Sequence, residues 1–69
     1  MKITLDKEAD AVYIYFKNIS KREVANTVLI NDNTNIDLNK NGKTLGIEIL
    51  NANKNLPAEM LNSAAIIKN

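Results

Sequence analysis

The sequence predicts an α+β fold, an antiparallel β-meander or hairpin sheet of about five short strands with one C-terminal helix packed on it. Three observations predict it. Residues 11–16, AVYIYF, are rich in the β-branched and aromatic residues that strands favour. The pair Asn41-Gly42 separates two segments of alternating apolar residues, which is a strong hairpin signal. Pro57 precedes apolar residues at helical spacing near the C-terminus.

Five strands follow from patterns of alternation. Ile3 and Leu5 alternate with polar neighbours and predict the first strand, and a polar turn over 6–10 separates it from the second strand at 11–16. Both faces of the second strand are partly apolar, which predicts a central position or a covered second face. Residues 23–30, 34–39 and 44–50 are predicted to form the other three strands.

The pair Asn41-Gly42, taken as a structural turn with a two-residue loop, fixes the register of the last hairpin. The predicted pairs are Leu38 with Leu45, Ile36 with Ile47, Thr34 with Ile49, Asn39 with Thr44, Asp37 with Gly46 and Asn35 with Glu48. The first three pairs share an apolar face and the last three share a polar face. A slip of one residue would exchange the two faces, so the hydrophobic pattern supports this register.

The C-terminal helix is predicted from Pro57 to about Ala65, with Pro57 in its first turn. Asn55 is the predicted N-terminal cap, and Glu59 favours the positive end of the helix. The pair Ile66-Ile67 either continues this helix or forms an edge strand.

Length and composition predict a single domain over 1–69 and exclude several kinds of site. The chain has no cysteine and no histidine, so it lacks disulfides, thiolate metal ligands and the commonest general base. Its 9 basic and 8 acidic residues lack the basic excess of nucleic-acid-binding domains. No apolar run is long enough to cross a bilayer, and the N-terminus lacks a signal-peptide pattern. We therefore expect a cytoplasmic protein that binds neither nucleic acid nor membrane and needs no cofactor.

One motif resembles a metal site. Asp37, Asn39, Asn41, Gly42 and Glu48 match the calcium-loop pattern D-x-[DN]-x-[DN]-G-x5-E, in which alternate oxygen ligands converge on the ion. Such loops lie between helices, whereas here the flanking residues alternate as strands do. We therefore predict a solvent-facing hairpin and no metal, cofactor or catalytic site. The four oxygen-bearing residues of the motif are the only candidate metal ligands.

Three further groups of side chains have both a functional and a structural interpretation. They are the acidic residues Asp6, Glu8 and Asp10, the basic residues Lys17, Lys21 and Arg22, and the tyrosines Tyr13 and Tyr15. Paired carboxylates can perform acid–base catalysis, a basic loop can hold phosphate, and tyrosines can stack on bases. We favour a solvated turn, a solvated loop, and tyrosines that pack under the helix or in a subunit contact.

Two stretches and the chain length resemble one family. The stretches are LDKEADAVYIYF over 5–16 and NIDLNKNGKTLGIEILNA over 35–52, with Thr27 between them. The matching residues are Asp6, Glu8, Ala9, Asp10, Ala11, Tyr13, Ile14, Asp37, Gly42, Gly46, Ile47, Glu48, Ile49 and Leu50. Over roughly 1–54 the chain resembles the short prokaryotic proteins of domain of unknown function (DUF) family 2283. It departs from them at Asn39 and Asn41, where the resemblance leads us to expect aspartate.

The resemblance implies a compact sheet-based domain and no assigned activity. The small core, the partly apolar character of both faces of strand 11–16 and the absence of catalytic groups lead us to expect a non-enzymatic protein-interaction module that forms a homo-oligomer. The resemblance also raises a second hypothesis, an antitoxin-like protein that neutralises a toxin-like partner. A third is a minimal carboxylate or metal-dependent enzyme that uses Asp37 and Glu48.

Overall fold

The computed structural model describes residues 1–67, which form a six-stranded sheet and two short helices. The elements are β1 (Lys2–Asp6), β2 (Ala11–Tyr15), β3 (Asn26–Asn31), β4 (Thr34–Leu38), β5 (Thr44–Leu50), α1 (Ala52–Asn55), α2 (Ala58–Ser63) and β6 (Ala65–Ile67). Strands β1 to β5 pair antiparallel, which confirms the predicted α+β class and its five antiparallel strands. The pair Ile66-Ile67 takes the strand alternative, in β6, which pairs parallel to β1. Lys68 and Asn69 lie outside the described residues.

The strands do not follow one another across the sheet as a meander would. Their order is β3-β4-β5-β2-β1-β6, so β2 pairs with β5 and not with β3. The connection over 16–25 therefore runs from the middle of the sheet to its edge. Strand β3 begins at Asn26 and not at the predicted Glu23, because Glu23 belongs to this connection and donates its backbone N–H to the Ser20 carbonyl at 3.1 Å.

The β4–β5 hairpin keeps most of the predicted register but closes differently. Residues Thr34 to Asp37 pair with Ile49 to Gly46 as predicted. The loop has three residues and not two, because the Asn39 N–H bonds to the Lys43 carbonyl. Leu38 therefore pairs with Thr44 and not with Leu45, and Asn39 does not pair with Thr44; a register shift next to Leu38 restores the later pairs.

The chemistry of the turn explains the three-residue loop. Of its residues only Gly42 has a positive φ, at 80°, whereas the predicted two-residue turn would also require a positive φ at Asn41. The Asn39 carboxamide oxygen accepts hydrogen bonds from the backbone N–H groups of Asn41 and Lys43, both at 2.9 Å. The Asn39 side chain thus stabilises a turn in which only the glycine needs the left-handed conformation.

Two short helices replace the single helix predicted over 57–65. Asn55 ends α1 and caps no helix; its amide donates to the carbonyls of Leu50 and Asn51, both at 3.1 Å. Pro57 precedes α2 in an extended conformation, so it lies outside the first turn in which it was predicted. The extended Leu56-Pro57 pair separates the helices, as expected because a residue before proline disfavours the helical conformation.

The core lies between the helices and one face of the sheet, which we call the inner face. Leu5, Val12 and Ala52 are buried there, and the residues packed against them are Ile3, Ile14, Leu56, Leu61 and Ala64. Across the sheet, Ile14 lies opposite Ile47, which lies opposite Ile36, so the inner face continues to β4. The opposite face, which we call the outer face, carries the polar residues of the hairpin. No helix within residues 1–67 is long and apolar enough to span a membrane.

Candidate functional site on the outer face and the β3 edge

The strand registers arrange the outer face in rows that cross the sheet. One row runs Lys2, Tyr15, Gly46, Asp37, Thr27, and the next runs Thr4, Tyr13, Glu48, Asn35, Leu29. Both tyrosines therefore lie on the face opposite the helices, and the expectation that they pack under a helix is wrong. The alternation of the strands decides this, because Val12 and Ile14 take the inner face.

Tyr13 reaches diagonally across the sheet to Asp37. Its ring lies over Gly46, and its hydroxyl donates to Asp37 Oδ2 at 2.5 Å. Thr27 on β3 donates its hydroxyl to the other oxygen, Asp37 Oδ1, at 2.6 Å. Strands β2, β3 and β5 therefore all contribute to the surroundings of Asp37 on β4, and both oxygens of its carboxylate accept a hydrogen bond.

The surroundings raise the pKa of the Tyr13 hydroxyl well above its ordinary value of 10.0. Partial burial is the largest cause, because it disfavours the phenolate. The hydrogen bond to Asp37 and the charge of that carboxylate act in the same direction. Tyr13 therefore stays protonated through the physiological range and acts as a fixed hydrogen-bond donor.

Two contacts continue the outer-face rows on either side of this network. The Asn35 amide donates to Glu48 Oε1 at 3.3 Å, which links β4 to β5. The Lys2 ammonium lies 4.7 Å from the centroid of the Tyr15 ring, at the distance of a cation–π contact. The rings of Tyr13 and Tyr15 are 4.6 Å apart at a tilt of 52°, so both rings are held in place.

The candidate calcium ligands are separated by the hairpin. Asp37 and Glu48 lie on the outer face in neighbouring rows, whereas the Asn39 oxygen is used within the turn. Strands, and not helices, flank Gly42. In residues 1–67, no three carboxylate, thiol or imidazole side chains are grouped closely enough to hold a metal ion.

The acidic residues of the β1–β2 turn have structural partners. Asp6 Oδ1 accepts hydrogen bonds from the backbone N–H groups of Glu8 and Ala9, both at 3.1 Å, which closes the turn. Asp10 has a positive φ of 53°, and its Oδ1 accepts from the Asn53 backbone N–H at 3.1 Å and from the Asn53 amide at 2.8 Å. Asp10 thus caps the N-terminus of α1 from a remote part of the chain.

One of the three basic residues between β2 and β3 is neutralised by an ion pair. Lys17 forms an ion pair with Glu23 Oε2 at 2.5 Å, while the Ser20 backbone N–H donates to Glu23 Oε1 at 3.0 Å. The hydrogen bond from Lys17, followed by the one from Ser20, holds the pKa of the Glu23 carboxyl below its ordinary value. These contacts order the connection between β2 and β3.

Strand β3 forms an open, apolar edge of the sheet. All six of its residues are exposed, including Leu29 at 69%, Ile30 at 57% and Val28 at 45%. The strand contains no charged residue and no proline, the devices that usually protect an edge from pairing. The other edge, β6, has three residues.

The hydrogen-bonding direction along β3 follows from its neighbours. The Leu38 carbonyl accepts from Ala25 N–H at 2.8 Å, and the Asn33 carbonyl accepts from Leu50 N–H at 2.7 Å. Even-numbered residues of β4 therefore bond towards β3 and odd-numbered ones towards β5, since the direction alternates along a strand. Thr27 and Leu29 of β3 lie opposite Asp37 and Asn35, which form their backbone hydrogen bonds with β5. The backbone N–H and C=O groups of Thr27 and Leu29 therefore point away from the sheet.

Comparison with known proteins assigns the chain to a family. The model of the family described as "Protein of unknown function (DUF2283)" matches residues 2–53. The chain belongs to this family. No curated protein matches the chain, and no solved structure does. The match covers β1 to β5 and the first two residues of α1, and it ends before α2 and β6.

The hydrogen-bonded group of Tyr13, Asp37, Thr27 and Gly46, which we call the outer-face network, contains three of the family-matching residues, and a fourth, Glu48, lies in the row beside it. Tyr13, Asp37, Gly46 and Glu48 are separated in sequence but contact one another or lie in adjacent rows. The open β3 edge and the remote cap by Asp10 were not predicted from the sequence. The uncharged run NTVLIN was a signal for the first, whereas the second has no local signal.

Proposed function

We propose that this protein is a non-catalytic interaction module that pairs through β3 with a strand of another chain, and that this chain is a second copy of itself. The observation that carries the proposal is the exposed, uncharged and apolar β3 edge. Unpaired N–H and C=O groups at such an edge are a template for strand addition, which gains main-chain hydrogen bonds and buries apolar side chains.

Self-pairing suits this edge. Residues Asn26 to Asn31 carry no ionisable side chain, so two antiparallel copies meet without repulsion between like charges. A two-fold axis would bring Val28 and Ile30 of each copy near those of the other, while Thr27 and Leu29 supply outward backbone groups. The result is one continuous sheet across two subunits, with an interface of the isologous kind. Pairing also supplies the added burial that a domain of this size usually needs.

The outer-face network supports a structural and not a catalytic role for Asp37. Both of its oxygens accept hydrogen bonds from hydroxyl groups, one from Thr27 and one from Tyr13. Each oxygen keeps a further lone pair, but both oxygens are already held by hydroxyl donors of the protein itself. The network instead ties β3 to β4 and β2, which holds the edge strand in position for a partner.

The test is sedimentation velocity across a concentration series of the wild type, Leu29→Lys and Val24→Lys. A lysine on an edge strand opposes pairing, so we expect Leu29→Lys to be monomeric. Val24 is also exposed but precedes β3, so Val24→Lys should dimerise as the wild type does and serves as the matched control. Amide exchange should slow at Thr27 and Leu29 when the wild type dimerises.

Two outcomes would contradict the proposal. One is a wild type that remains monomeric at every concentration, and the other is a Leu29→Lys variant that dimerises as well as the wild type. A chain that is monomeric alone and pairs through β3 only with a toxin-like protein would replace self-association by the antitoxin-like alternative.

A further inference from the structure

A shallow depression lies on the outer face, away from the β3 edge. It has a volume of about 280 Å³, and its lining includes Thr4, Asp6, Ala11, Tyr13, Tyr15, Glu48 and Leu50. The register explains its shape, because Ala11 lies between Asp6 and Leu50 in one row and Thr4 precedes Tyr13 in the next. Two small side chains therefore form a floor among larger neighbours.

The floor contains a buried hydroxyl group. Thr4 is 6% exposed, and its hydroxyl makes no side-chain hydrogen bond to the described residues. Among those residues, every side-chain nitrogen or oxygen atom of a buried residue that has no hydrogen-bond partner is in contact with solvent. The Thr4 oxygen therefore reaches the space that the depression encloses, where it can exchange a hydrogen bond with a ligand.

The walls are acidic and aromatic. The ionisable carboxyl groups that line the depression are those of Asp6 and Glu48, and no lysine or arginine lines it. Glu48 accepts one long hydrogen bond, from Asn35 at 3.3 Å, and keeps further acceptor capacity. The Lys2 ammonium lies 4.7 Å from the centroid of the Tyr15 ring, but Lys2 and Tyr15 together line a neighbouring depression, so Lys2 does not neutralise the walls of this one.

We propose that the depression binds an organic cation, an ammonium or guanidinium group on a short apolar stem. The charged group lies beside Glu48 and the tyrosine rings and donates hydrogen bonds to Glu48 and to the Thr4 hydroxyl. Its stem packs against Ala11 and Leu50. This combination of carboxylate, aromatic face and small apolar floor gives charge attraction, cation–π contact and burial of the stem. The site is separate from the β3 edge, so cation binding can be tested whether or not the protein self-associates.

The experiment is a titration followed by amide shifts in NMR spectra, with n-butylammonium and n-butylguanidinium as probes and n-butanol as their neutral counterpart. We expect shifts centred on Thr4, Ala11, Tyr13 and Glu48 with both cations and none with n-butanol. Glu48→Gln should weaken binding about tenfold, since it removes one charge-assisted hydrogen bond. The matched control, Asp32→Asn, removes an equal charge from the remote β3–β4 turn and should leave the affinity unchanged.

Thr4→Val provides a second variant, because it removes the hydroxyl at nearly constant volume and should also weaken binding. Thermal unfolding of each variant verifies that it is folded before the titration. A short end-capped peptide whose only charge is a single arginine separates the two sources of the cation. Tighter binding than n-butylguanidinium identifies a protein partner, and equal binding identifies a free amine or guanidine. The proposal is overturned if n-butanol shifts the same amides, if the shifts spread over the whole surface, or if Glu48→Gln binds the cations as tightly as the wild type.

Discussion

Gly46→Ala tests the outer-face network directly. A Cβ atom at this position would lie 2.6 Å from the Tyr13 hydroxyl oxygen and 2.7 Å from Cζ of the ring, and it would also overlap Cε1. These distances are too short for any real contact, so one partner must move. The ring is the end of a side chain and moves more easily than the central strand β5. We therefore expect the substitution to displace Tyr13 and to break its hydrogen bond to Asp37.

The expected loss of stability can be worked out from the contacts that the displaced Tyr13 ring no longer makes. A hydrogen bond to a charged group contributes about 1.5–3 kcal/mol, and the contact between the rings of Tyr13 and Tyr15 about 0.5–1.5 kcal/mol. Alanine in a strand is favoured over glycine by about 0.5–1 kcal/mol, which offsets part of the loss. Because Tyr13 is only partly buried, the lower parts of the first two ranges apply, and after the offset we expect the free energy of unfolding to fall by about 1–1.5 kcal/mol. For a domain of this size that corresponds to a fall in Tm of roughly 4–12 °C.

A double-mutant cycle with Tyr13→Ala measures the effect and isolates its cause. Urea unfolding followed by circular dichroism gives the free energy for the wild type, both single variants and the double variant. Once Tyr13 is truncated, the alanine at position 46 no longer meets the ring, so Gly46→Ala should then cost less than about 0.5 kcal/mol. Strictly additive costs in the two single variants would refute the reasoning, because they would mean that the glycine is needed for some reason other than the ring.

Three further substitutions or conditions test local features. Asp10→Ala should lower stability by about 1–2 kcal/mol in urea unfolding because α1 loses its cap at Asn53, whereas Asp10→Asn keeps an acceptor and should cost much less; equal costs would contradict the cap. Gly42→Ala should cost about 1–2 kcal/mol because the φ of 80° strains an alanine, and Gly42→Asn should cost less in the same assay; no loss with alanine would contradict this account. Folding lowers the pKa of the Glu23 carboxyl from its ordinary value of 4.5, so the stabilising ion pair with Lys17 is present above about pH 4.5 and is lost as the pH falls through the folded-state pKa. An NMR titration of the Glu23 side chain measures that pKa. A midpoint at or above 4.5 would show that the pair contributes nothing to stability.

Local sequence patterns predicted the antiparallel strands well. Alternation of apolar residues fixed which residues of β4 and β5 share the inner face, and the pairs Ile36–Ile47 and Thr34–Ile49 are as predicted. The prediction of the loop between them was wrong by one residue. The Asn-Gly signal is compatible with more than one turn type, and the hydrogen bonds from Asn39 that select the three-residue loop depend on backbone positions.

The candidate site was less predictable than the strands. Tyr13, Asp37, Gly46 and Glu48 were identified as family-matching residues, but their roles could not be inferred from sequence alone. Tyr13 was expected to pack under the helix or in a subunit contact, and only the first of these alternatives is wrong. Which face the helices cover depends on how the chain after Leu50 turns, and no local pattern before it determines that.

The sequence by itself determined the class of fold, the strand segments, the two faces of the hairpin and the family, because these depend on side-chain periodicity and on residues close in sequence. The tertiary structure alone decided that β2 pairs with β5, that β3 becomes the open edge, and that Asp10 caps α1 from across the chain. Non-local pairings depend on the balance of burial over the whole sheet, so the short-range signals in the chain do not specify them.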